Sequence, residues 1–253
     1  MEICQKVLFS KSVSGGGAYE TKQGKQPRFN PIVGELDDNG TIHVTCDKKH
    51  YGVVLYNSRR YEVLVKSAAR AFLDGYTNEV VAVMSSALAR AYEFYIRVSC
   101  RAKELSQESV DAAWKSVAAQ SERQFGAFQF LYLQDNQAPF MLDPLVTEIR
   151  NKVIHRGKIV REAEALNFAE KVFSAIRHLD DTLQSKFAGH VKAEAEREIK
   201  FQEDNVPTGI EHVTLSATTV NVDTSKNEVI GTVTRFIEHV AAIHQSRERG
   251  FPD

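Results

Sequence analysis

Apolar residues alternate with polar ones near the start of the chain and recur at helical spacing over most of the remainder. Ile3, Gln5, Val7 and Phe9 interleave with Lys6 and Ser10 and predict a strand, ended by the Gly15-Gly16-Gly17 run. PIVGEL and TIHVTC flank Asp37-Asp38-Asn39-Gly40, whose Asn-Gly step suits the positive φ values of a tight hairpin turn. YGVVLYN reads as a third strand.

From Arg59 the pattern is that of helices. Leu64, Ala68 and Phe72 form the apolar side of a first helix that Gly75 is placed to end. A longer one runs from Thr77 to near Lys103, with Val80, Met84, Ala87, Leu88, Ala91, Tyr95 and Val98 on one face. Residues 106–136 predict one broken helix or two shorter ones, with Ser106 to Ser109 and Ser121-Glu122 as start signals and FGAFQFLYL as core. Asp143 as cap, Pro144 at the first helical position and Gly157 as the stop delimit another helix. The longest helix is expected from Val160 to near Gln202, with an interruption at Gly189. Pro207 and Gly209 then mark a linker, His212 to Val222 a strand, and Ser225-x-x-Glu228 the capping box of a last helix.

These elements predict a mainly α protein: a β-rich region at 1–57, a helical bundle at 58–203 and a strand-plus-helix C-terminal extension at 204–253. The charge balance narrows its partners. With 32 Lys and Arg against 33 Asp and Glu, no global positive field exists, so any nucleic-acid contact must come from a local patch. Three cysteines, Cys4, Cys46 and Cys100, are an odd and sparse set that suits a reducing compartment and predicts a cytoplasmic protein. No leader pattern and no apolar run of about 18 residues is seen, so no membrane partner is expected.

The chemistry is equally selective. G-x-x-x-x-G-K-[ST], G-x-S-x-G, H-E-x-x-H and paired C-x-x-C motifs are all missing. Cys46-x-x-x-His50 is half of a zinc-ribbon pattern, to which Cys4 and His43 would be the remaining ligands; a degenerate β-turn is the expected outcome. The segment Ile149-Arg150-Asn151-Lys152-Val153-Ile154-His155-Arg156-Gly157 is more specific. Asn151 and His155 share a helix face, and Arg150, roughly 100° away, is long enough to wrap towards it. A guanidinium suits a phosphate oxygen, an imidazole exchanges protons near neutral pH, and Asn151 is placed to hold one ring nitrogen. Cations in a last helical turn before glycine also satisfy the helix dipole with no chemistry at all.

Arg150-Asn151-Lys152-Val153-Ile154-His155 resembles the R-x4-6-H motif, in its R-N-x-x-x-H form, of the HEPN superfamily of α-helical bundles. The order of helices around it is similar too, over about residues 60–200. The resemblance implies a HEPN-like bundle and a metal-independent endoribonuclease without cofactor, of the kind found in toxin, antiviral defence and RNA-processing systems. It implies RNA as substrate, a homodimer with a composite site, and a cognate antitoxin or defence-system partner. Arg150, Asn151 and His155 are then the catalytic set, Glu93 on the long second helix the brace for Arg150, and Lys152 and Arg156 the RNA contacts. The alternative is a catalytically silent scaffold of the same fold that binds RNA or protein.

Overall fold

The computed structural model describes residues 6–9, 32–45, 49, 51–216, 222–223 and 228–249. Cys4, Gly15 to Gly17, Cys46, His50 and Ser225 lie outside them, so the zinc-ribbon expectation does too. The chain divides into two compact units, one of residues 1–57 and 198–216, the other of residues 58–197 and 217–253.

The first unit is a five-stranded sheet in the order β1 (Lys6–Phe9), β2 (Ile32–Leu36), β3 (Thr41–Thr45), β4 (Tyr51–Asn57), β5 (His212–Ser216). Its first four strands pair antiparallel, whereas β5 lies parallel to β4 with Val53 opposite His212. The turn between β2 and β3 is built by one side chain. Asp37 Oδ1 accepts from the amides of Asn39 (3.0 Å) and Thr41 (2.8 Å), and its Oδ2 accepts from Thr41 Oγ1 at 2.7 Å. Gly40 follows at φ +83, and a Cβ there would lie 2.6 Å from the Gln202 amide. Burial raises the Asp37 carboxyl, but the Thr41 and Asn39 hydrogen bonds and nearby His43 outweigh it and hold the group low. A depressed folded value gives stability that is present above the ordinary aspartate value of about 3.9 and lost as pH falls through the folded one. Amide protection at Asn39 and Thr41 is therefore expected to persist at about pH 5 and fall in stronger acid, an acid response that Asp37→Asn should abolish.

The second unit is a helical bundle formed by α1 (Arg60–Leu73), α2 (Thr77–Ala102), α3 (Gln107–Val117), α4 (Ser121–Asn136), α5 (Pro144–Arg156), most of α6 (Glu162–Asp204) and α7 (Val233–Arg249). The seven α2 positions assigned to one face are all buried, and α2 packs against α1, α4 and α5. Beside it, Phe128 and Tyr132 of α4 join Tyr92, Tyr95 and Phe140 in a ring cluster, while Phe130 of the same stretch is 78% exposed. α3 is tied to α2 by Arg97, which bridges Asp111 at 2.8 Å and Glu93 at 3.1 Å, and by Arg90 over the Trp114 ring.

Three boundaries differ from the pattern reading. The irregularity in α6 falls at Phe187 (φ −134, ψ 26), whose side chain packs against the core, and Gly189 stays helical. The last helix starts at Val233, because Glu228–Val229 pairs as a strand (β7) with Val222–Asp223 (β6). The caps are supplied elsewhere: Thr232 Oγ1 accepts from the Arg235 amide at 3.3 Å, and Glu170 Oε2 from the Val233 amide at 2.8 Å. The 204–253 stretch is shared between the units, since β5 extends the sheet, while α7 packs on α1 and sets Phe236 against Phe173 of α6.

Candidate active site at the end of the fifth helix

α5 is fixed at both ends by its own sequence. At its start, Asp143 Oδ1 accepts from the Leu145 amide at 3.0 Å, Pro144 opens the helix, and Lys171 pairs with the same carboxylate at 3.0 Å. Val146, Ile149 and Val153 are buried, which orients the helix against the core. At its end Gly157 takes φ +64, where its amide meets Val153 O at 3.2 Å. Nothing lies near its missing Cβ, so Gly157→Ala costs backbone strain alone. The variant should unfold with about 1–2 kcal/mol less stability in denaturant titration, and Gly157→Asn with a smaller loss.

The segment after the helix is held by the first turn of α2. Thr77 Oγ1 donates to Val160 O at 2.8 Å, Asn78 Nδ2 donates to Lys158 O at 3.0 Å, and Asn78 Oδ1 accepts from the Val160 amide at 3.0 Å. A side-chain amide that satisfies one donor and one acceptor in this way acts as a clip between α2 and the end of α5.

On this frame Arg150 is anchored. Its guanidinium donates to Ser121 Oγ at 2.8 Å, to Asn151 Oδ1 at 3.2 Å and, most weakly, to Glu122 Oε1 at 3.5 Å. Arg150 wraps as far as Asn151, but among the described residues no contact joins either of them to His155, so the expected meeting of three polar groups is seen only in its first half. The Glu122 backbone amide, with Ser121 and Arg150, holds the Glu122 carboxyl low against the burial that would raise it, so it stays ionised beside the guanidinium. His155 and Arg156 are exposed, and neither bonds a side chain among the described residues. Lys152 pairs with Glu148 one turn earlier.

Comparison of the chain with protein-family models, curated proteins and solved structures finds no match.

Two placements depart from expectation. Glu93 does not brace Arg150: Arg90 reaches it at 2.5 Å and Arg97 at 3.1 Å, and these neighbours at helical spacing take its carboxylate. Asn151 does not hold the His155 ring: its carbonyl oxygen accepts from adjacent Arg150, and among the described residues no bond joins its amide nitrogen to the ring. The brace comes instead from Ser121 and Glu122, where the sequence showed only a helix start. Thr77 and Asn78 left no signal beyond a polar first turn.

Arg150, a fixed, partly exposed cation in the middle of α5, and His155, an unengaged imidazole near its end, are five positions apart, about 140° around the helix. Taken singly, a guanidinium is a group that stabilises an anionic transition state and an imidazole one that moves a proton. The twelve residues from Arg150 to Arg161 contain five Lys or Arg and no acid, but Arg150, Lys152 and Lys158 pair with Glu122, Glu148 and Glu164 from outside the run, which leaves Arg156 and Arg161 without an ion pair among the described residues.

Proposed function

We propose that this chain is a metal-independent endoribonuclease of the HEPN type, cleaving RNA at a composite site shared by two copies. The observation that carries the reading is the contrast between Arg150, held by Ser121 and Asn151 in the middle of α5, and His155, exposed and unengaged near its end. A structural histidine at a helix end bonds the last carbonyls or a neighbouring acid; this one does neither among the described residues.

In the reaction a base removes the proton of the ribose 2′-OH, and that oxygen attacks the adjacent phosphorus. The P–O5′ bond breaks as an acid gives its proton to the leaving oxygen, leaving a 2′,3′-cyclic phosphate and a 5′-OH. One protomer supplies one motif histidine. A two-fold pair supplies a base and an acid, and the two Arg150 guanidiniums offset the charge that builds on the phosphorane-like transition state. Ile154, 47% exposed beside His155, gives the seam an apolar contact.

The test is incubation of purified protein with end-labelled single-stranded RNA in EDTA. Cyclic-phosphate ends are expected, with Arg150→Ala slower by about 10²–10³-fold, as for loss of one oxyanion donor. Cleavage that needs added metal, or that is unchanged in Arg150→Ala, overturns the reading. Tight, salt-sensitive RNA binding without cleavage would instead favour the silent scaffold.

A further inference from the structure

We propose that Tyr76 stacks on an unpaired base of the RNA held at the end of α5, so that the substrate class is a single-stranded segment; this rests on the ribonuclease reading of that site. Tyr76 occupies the N-cap of α2, where a short polar side chain would accept a hydrogen bond from the first turn, and it makes no such bond. Its ring is 59% exposed, although burial would stabilise an aromatic side chain. A large ring at this position serves neither the helix nor the core.

Its neighbours place it by the candidate site. Thr77 and Asn78, which follow it directly, hold Lys158 and Val160 through three hydrogen bonds of 2.8–3.0 Å. That segment begins three residues after His155; its Lys158 pairs with Glu164, and Arg156 and Arg161 on either side of it form no ion pair among the described residues. A flat apolar ring, with two unpaired guanidiniums on the segment that Thr77 and Asn78 hold, matches the two halves of a nucleotide, base and phosphate. In duplex RNA the base faces are already stacked, so the ring has nothing to receive.

The test uses the full chain carrying His155→Ala, to prevent turnover, and a single-stranded oligoribonucleotide with 2-aminopurine as the fluorescent base. Adding Tyr76→Ser is expected to weaken binding by about 5- to 100-fold, the range for loss of one stacked base. Tyr76→Trp should keep the affinity and the quenching, and a duplex of the same sequence should bind equally with either residue at 76. Serine can cap α2, so the variant should unfold at no lower temperature and its loss of binding is not a loss of fold. Equal affinity of Tyr76→Ser and its parent overturns the proposal. So does a loss of affinity that follows conversion of a dimer to monomer, since the ring then belongs to an interface between copies, together with exposed Leu73 and Ile159. Tyr76-dependent binding by a protein whose wild type never cleaves supports the stacking and removes the nuclease reading, whereas no RNA binding at all removes both.

Discussion

Replacement of His155 by alanine is expected to lower the rate of RNA cleavage by about 10²–10⁴-fold, the range for removal of a positioned acid or base. The same variant should unfold within about 0.5 kcal/mol of wild type, because an exposed side chain away from caps and buried networks contributes little to stability. His155 fits that description: it is exposed and has no partner among the described residues. The split between a large kinetic loss and an unchanged unfolding curve marks a residue kept for chemistry. A variant that cleaves at the wild-type rate would leave the exposed imidazole as surface and the helix end as an ordinary dipole contact. Arg150→Lys adds a second dimension. It keeps the charge but loses the planar fork that reaches Ser121 and Asn151 together, so it should recover only part of the activity lost in Arg150→Ala.

Replacement of Phe128 by alanine is expected to have the largest effect on the fold, about 3–5 kcal/mol in denaturant unfolding. Phe128 is fully buried, and its ring lies 4.3 Å from Tyr92, 5.3 Å from Tyr95 and 5.2 Å from Phe140, centroid to centroid. These rings join α2, α4 and the segment before α5, so a cavity there loosens the frame that aligns Ser121 with Arg150. Against a typical total of about 5–15 kcal/mol, the variant should be near the edge of folding and should lose cleavage by unfolding. Its activity should return with stabilising osmolyte, whereas that of His155→Ala should not. Phe128→Leu, which keeps much of the volume, should lose less than Phe128→Ala.

What the chain announces locally, it announces well. α5 was legible end to end because Asp143, Pro144 and Gly157 act within a few residues of themselves, and the buried face of α2 follows from side-chain spacing alone. Contacts between distant segments were not legible. β5 pairs parallel with β4 across more than half of the chain, and alternation within a strand does not say which edge it joins. The same limit governs the site. Ser121 reaches Arg150 from 29 residues away, and Asn78 holds Val160 from 82 away. Glu93 was placed on the right kind of surface, but helical spacing also puts Arg90 and Arg97 within its reach, and near partners win over a distant one. At the C-terminal end, Thr232 and Glu170 cap α7, and the second of these lies 63 residues from the amide it accepts.

The most direct measurement uses a two-tag heterodimer with one wild-type chain and one His155→Ala chain, purified through both tags and assayed on single-stranded RNA in EDTA. If each cut needs one imidazole as base and the other as acid, this species should be slower than the wild-type dimer by about a hundredfold or more. A heterodimer with half the wild-type activity would mean that each chain cleaves by itself, and would contradict the composite site.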